Sequence, residues 1–204
     1  MEKRRLIVGV SGASGAVYAV RTLEVLRSLP DVETHLVLTA AARQTIALET
    51  DHSLREVERL ADVVHPIGQM AASISSGSFR TIGMVVIPCS MKTLSGIAYS
   101  VSDNLLLRAA DVVLKERRQL VLVVRETPLH LGHLRAMVQV TEMGAVVMPA
   151  MPAFYHRPAS VDDIVNQTVN RVLDMLDIQL PEDLFQRWET PVLSPTDARL
   201  AQGR

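Results

Sequence analysis

The sequence predicts an α/β domain built on a mainly parallel, doubly wound sheet. Two observations carry the prediction. Apolar, β-branched runs of strand length recur at residues 6–10 (LIVGV), 35–39 (HLVLT), 84–88 (MVVIP), 120–124 (LVLVV) and 145–148 (AVVM), with helix-compatible segments between most of them. Such alternation implies parallel strands joined by right-handed crossovers. Apolar residues also make up 48% of the chain, with a mean hydropathy of +0.20. That value fits a sheet covered on both faces, or surface buried in an oligomer.

The 204 residues suit one core. The domain is expected to span residues 1–188. The segment 189–204, with Pro191, Pro195 and no apolar period, is expected to be a poorly ordered tail. A formal net charge of −1, with Lys and Arg scattered among acids except at 115–118, points away from nucleic acid. Cys89 is the only cysteine, so no internal disulfide forms, which fits a reducing compartment. The start, MEKRRLIVGV, holds too short an apolar run for a signal peptide. No run of about 18 apolar residues is present to cross a membrane. A cytoplasmic globular protein with no membrane partner is expected.

Taken in order, residues 6–16 (LIVGVSGASGA) read as a buried strand, a tight turn and a helix running on to Arg27. The N-terminus of such a helix attracts anions, commonly a phosphate, although Gly and Ser are also ordinary turn residues. Ligands in parallel sheets bind at the carboxyl ends of strands, so the residues just past each run carry the chemistry. Those positions hold Ser11 to Gly15, then Thr39 and Ala40, then Cys89 to Thr93, then Arg125 to Thr127, then Pro149 to His156. Residues 66–82, rich in serine, read as a mobile loop partly covering this crevice, or as a plain surface loop. Asp103 is expected to cap a helix with the stripe Leu105, Leu106, Ala109, Val112 and Val113. Ser160 and Asp163 resemble a capping box for a helix with the face Ile164, Val165, Thr168, Val169, Val172 and Leu173. Arg171 borders that face, either snorkelling to solvent or held against an anion.

Several familiar sites fail on spacing. The glycines do not form G-x-G-x-x-G, and no acid stands after the second strand to hold a ribose hydroxyl. There is no P-loop, and the histidines have no compact zinc spacing, so no metal is expected. What remains is a mononucleotide crevice. Ser14, Thr39, Ser90 and Thr93 are neutral hydrogen-bonding groups for a phosphate and a polar ring edge. Arg125 is the best-placed cation, its planar fork matching phosphate. Glu126 is a candidate proton carrier, or an ion-pair partner of Arg125 or Lys115. Glu49 is either catalytic or a helix-surface acid.

Six motifs then become specific together: GASGA at 12–16, ETD at 49–51, PCSMKTLSGIA at 88–98, RAADVVLKERR at 108–118, LVLVVRETPLH at 120–130 and PAFYHRP at 152–158. In order and spacing, from Leu6 to Trp188, the chain resembles the flavin prenyltransferases of the UbiX type. The resemblance implies a flavodoxin-like or Rossmann-like fold. It implies an enzyme that joins the dimethylallyl group of dimethylallyl phosphate to N5 and C6 of reduced FMN, a co-substrate, without a metal. The product is the prenylated flavin that UbiD-type decarboxylases use. The resemblance places Gly12, Ala13, Ser14, Thr39, Ser90, Met91, Lys92, Thr93 and Arg125 at FMN. It places Lys115, Arg125, Tyr155 and Arg171 around the donor phosphate, with Trp188 beside the allyl group. Ser14, Glu49 and Glu126 are its proton-handling residues, with Lys115 and Arg125 stabilising the leaving phosphate. It also implies a homododecamer with sites between subunits. One departure stands out: Thr39-Ala40-Ala41-Ala42 replaces the family's Ser-Lys-Ala-Ala, so a lysine is missing at Ala40. Related classes are a flavin-dependent cysteine decarboxylase, whose histidine and Asn-rich segment are not found, and a non-catalytic FMN carrier.

Overall fold

The computed structural model describes residues 3–189; residues 190–204, nearly all of the expected tail, lie outside them. The described elements run β1 (Arg4–Val10), α1 (Ala16–Arg27), β2 (Val32–Leu38), α2 (Ala40–Glu49), α3 (Leu54–Leu60), β3 (Val63–His65), β4 (Gly83–Cys89), α4 (Met91–Ala98), α5 (Leu105–Lys115), β5 (Gln119–Val124), α6 (Leu131–Glu142), β6 (Val146–Val147) and α7 (Val161–Met175). Six parallel strands form one sheet in the order β3-β2-β1-β4-β5-β6. Five of the strands fall on the expected runs. The sixth, β3, is three residues long and sits at the sheet edge, too short to show a pattern in sequence.

Both faces of the central strands are apolar. Leu6, Val8 and Val10 of β1 join Val85, Ile87, Val121 and Val123 in one core, closed by α1, α2 and α7. Ile7, Met84, Val86, Leu120, Leu122 and Val124 join the other, closed by α4, α5 and α6. This two-sided burial explains the high apolar content. The order reverses between β1 and β4, so the loops after them leave toward opposite faces and open a crevice there.

Two local expectations are corrected. Asn104, not Asp103, caps α5 by accepting the Leu107 N–H at 3.1 Å, while Asp103 accepts from the Asn104 amide. The segment 66–82 is not a lid on the crevice. It is the crossover from β3 to β4 and packs against α5: Ile74 is buried, Arg108 donates to the Ser75 carbonyl, and Arg118 donates to those of Gly77 and Phe79.

Candidate active site

The crevice begins at Ser11, the first residue past β1. It is buried; its hydroxyl donates to the Pro88 carbonyl at 2.9 Å and accepts the Ser90 N–H at 2.7 Å. One side chain thereby ties the ends of β1 and β4 together where their loops part. Gly12 comes next, and a β-carbon there would lie 2.2 Å from the Ala41 β-carbon, so α2 crosses the carboxyl edge of the sheet in contact with this turn. Gly15 has φ +108°, a left-handed conformation that costs other residues roughly 1–2 kcal/mol.

Because α2 lies across the edge, its last residue reaches α1. The Glu49 carboxylate accepts the N–H groups of Gly15 at 2.7 Å and Ala16 at 3.0 Å, and also the Ser14 hydroxyl. Partial burial would raise its pKa, but these three donors and the nearby Arg125 guanidinium hold it below the usual glutamate range. The anion at the N-terminus of α1 is therefore a side chain of the protein itself. A ligand phosphate has a better place at α4, whose first turn is Met91, Lys92 and Thr93. Ser90 caps that helix, accepting from Thr93 N–H at 3.3 Å, and donates to the Thr93 hydroxyl. Thr39 has the matching role at α2, accepting from Ala42 N–H at 3.0 Å. Arg125 stands just past β5, its N–H bonded to the Cys89 carbonyl at 3.2 Å and its side chain exposed. Glu126 is also exposed, accepts the N–H of Thr127, and forms no ion pair among the described residues.

One chain thus gathers Gly12, Ala13, Ser14, Thr39, Glu49, Ser90 to Thr93, Arg125 and Glu126 at one edge. It does not gather the other expected residues there. Lys115 ends α5 just before β5 and pairs with Glu116. Across the length of β5, at a rise of about 3.3 Å per residue, that is roughly 20 Å from Arg125. Arg171 lies far along α7, whose end reaches the start of β1, where Arg4 donates to the Asp177 carbonyl at 3.2 Å. Arg171 donates to Asp174 at 2.6 Å. Tyr155 and Trp188 meet edge to face, ring centres 5.4 Å apart, and both are substantially exposed.

A family model described as Flavoprotein matches residues 1–173. The flavin prenyltransferase UbiX of Escherichia coli K12 is 70% identical over 91% of this chain and 98% of its own. The chain belongs to the UbiX-type flavin prenyltransferases. Among solved structures of that family, AnUbiX (PadA1) in complex with FMN and dimethylallyl pyrophosphate superposes with a TM-score of 0.89. It is 50% identical, covering 93% of this chain and 99% of its own. A dodecameric FMN-dependent UbiX-like decarboxylase from Escherichia coli O157:H7 gives 0.88 at 54% identity, covering 91% and 100%.

The residues of the crevice suit the flavin that names the family. Two helix N-termini, α2 and α4, direct backbone N–H groups at the edge, Gly12 lets α2 pack close against the turn after β1, and Arg125 supplies a phosphate-matching cation. Among the described residues no cluster of three or more His, Cys, Asp and Glu is placed to hold a metal. Sequence reasoning set Ser11 among the strand-end residues without giving it a role, and it missed the acid Asp174. Ser11 was visible as the polar residue ending an apolar strand; Asp174 stands three residues beyond Arg171, the spacing of a helical pair.

Proposed function

We propose that this chain transfers the dimethylallyl group of dimethylallyl phosphate to N5 and C6 of reduced FMN. Bound in the crevice, reduced FMN would supply the nucleophilic N5 and C6; overall one C–N and one C–C bond form, the allylic C–O bond breaks with its electron pair leaving on phosphate, N5 and C6 each lose a proton, and an alkene carbon gains one. The protein's own residues then have separable tasks. Ser14 donates its hydroxyl to Glu49, and the pair takes the N5 proton together: as the Ser14 oxygen accepts it, the Ser14 proton passes to the Glu49 carboxylate. The three donors hold Glu49 as an anion beforehand, and it orients Ser14. Glu126, exposed and without an ion partner among the described residues, is a further proton carrier. Lys115, Arg125, Tyr155 and Arg171 concentrate positive charge and donors on the departing phosphate, the electrostatic task a metal performs elsewhere. Trp188 offers a π face to the allyl group.

The observation that carries this reading is the meeting of Ser14, Glu49, Arg125 and the α4 N-terminus at the β1/β4 switch point, in a chain 70% identical to a flavin prenyltransferase. Lys115 and Arg125 sit at opposite sheet edges, which supports a site completed between subunits. Among the described residues fourteen large apolar side chains, including Leu131, Leu134 and Val138 along α6, are exposed in the single chain, which supports a homo-oligomer, read as a homododecamer by likeness to the dodecameric relative. The product flavin is read as the cofactor of a UbiD-type decarboxylase, and the location as cytoplasmic, in keeping with a lone cysteine that is buried.

The test is anaerobic incubation with reduced FMN and dimethylallyl phosphate in the presence of a chelator. The flavin is expected to gain one C5 unit by mass spectrometry; an unchanged flavin mass refutes the reading. Arg125→Ala and Glu126→Gln separate an enzyme from an FMN carrier. An enzyme loses about 100-fold or more of its rate on losing such a group, whereas a carrier keeps its supporting activity in cells.

A further inference from the structure

Residues 179–188 pack back against α7, with Leu180 and Leu184 on the core, and one guanidinium fixes the end of the segment. Arg187 Nη1 donates to Asp174 Oδ2 and Nη2 to Asp174 Oδ1, both at 2.9 Å. Its Nε and Nη2 donate to the two oxygens of Asp183, both at 2.6 Å. Asp174 Oδ2 also accepts from Arg171 Nη1 at 2.6 Å. Upstream in the same segment, the buried Asn170 accepts the Leu184 N–H at 2.8 Å. The residue after Arg187 is Trp188, whose ring stands against Tyr155. A single exposed ion pair contributes little, but bidentate pairs sharing a carboxylate fix geometry. Here two arginines divide two oxygens. Arg171 has a one-atom hold on Asp174, which leaves the rest of its fork for another anion. Without Arg187, Asp174 would draw Arg171 into a two-pronged pair of its own.

We propose that Arg187 is a positioning residue for the prenyl-phosphate half of the site. Through Asp174 it keeps the Arg171 fork available to an allylic monophosphate, and through the chain it sets Trp188 against Tyr155. This rests on the reading of Tyr155, Arg171 and Trp188 as donor-binding residues.

Trp188 is the only tryptophan of the chain, so intrinsic emission reports its surroundings alone. In the full-length protein, Arg187→Ala is expected to shift that emission to the red and raise its quenching by acrylamide. It is also expected to raise KM for dimethylallyl phosphate by about tenfold, within the range that small misplacements of charged groups cost, while FMN affinity stays unchanged. Arg187→Lys keeps the charge but cannot bridge both carboxylates, and should recover little. Asp183→Asn removes one anchor only and should move emission and KM the same way by less, which serves if Arg187→Ala fails to assemble by light scattering. A shift in emission with KM unchanged overturns the inference, as does an unchanged emission, or a parallel loss of FMN affinity. Wild-type protein that never prenylates reduced FMN overturns the underlying reading and this inference with it.

Discussion

Glu49 ends α2, yet its carboxylate satisfies two N–H groups of α1 and a hydroxyl of the intervening turn. A carboxylate so held contributes to stability while ionised. Its pKa is depressed in the folded state, so the contribution is full above the ordinary glutamate value of about 4.3 and is lost as pH falls through the lower, folded value. The melting midpoint of Glu49→Gln should therefore trail wild type by a constant gap between neutral pH and about pH 5, and the gap should close in stronger acid. A gap unchanged down to pH 3 would remove Glu49 as an ionised cap. None of this was legible in the sequence, where Glu49 reads equally as catalytic or as a surface acid. The partner N–H groups lie over thirty positions away, and only the path of α2 joins them. The α5 cap is a milder case. Asp103 and Asn104 are both good capping types, and the choice between them turns on one residue of register.

At the level of elements, the site depends on strands whose ends are tied. Ser11→Ala would leave the Ser90 N–H without its acceptor and remove a donor from the Pro88 carbonyl, which keeps the Ser11 N–H at 3.2 Å. An orphaned buried N–H costs about 1–3 kcal/mol, so the melting midpoint should fall by a few degrees in a chain of this length. FMN affinity should fall with it, because α4 begins at Ser90. A variant as stable as wild type would show that the β1 and β4 ends hold without this link. Element positions were legible where periodicity was long: α1, α7 and the four central strands fall within two or three residues of expectation. The segment 66–82 was not, because its serines read as solvent-facing. Its burial depends on Ile74 and on Arg108 and Arg118 reaching its carbonyls from another element.

At the level of the whole molecule, Lys115 and Arg125 cannot serve one donor phosphate within one chain. If the site is shared, inactive subunits should complement each other. Co-assembly of Lys115→Ala and Arg125→Ala chains in equal amounts should restore activity in about a quarter of sites, since each intact site needs one wild-type contribution from each kind of chain in a symmetric assembly. No recovery, with mixed assembly verified by tags, would place both groups in one subunit's site by some other route. The exposed apolar faces of α6 and of the 150–161 region, with Phe154 and Val161 about 70% exposed, require cover in such an assembly.

What the sequence determined by itself was local and periodic: two-faced apolar strands, their order of connection, the helix carried by GASGA, and six motifs specific enough to name a family. Those signals lie within short windows, where one residue's neighbours dictate its conformation. The tertiary structure decided which charges meet. It placed Glu49 on α1, left Lys115 and Arg171 away from Arg125, and closed Arg187 over Asp174 and Asp183. Electrostatic partnership depends on distance in space, and distance in space between remote residues is set by packing, which no short window of sequence contains.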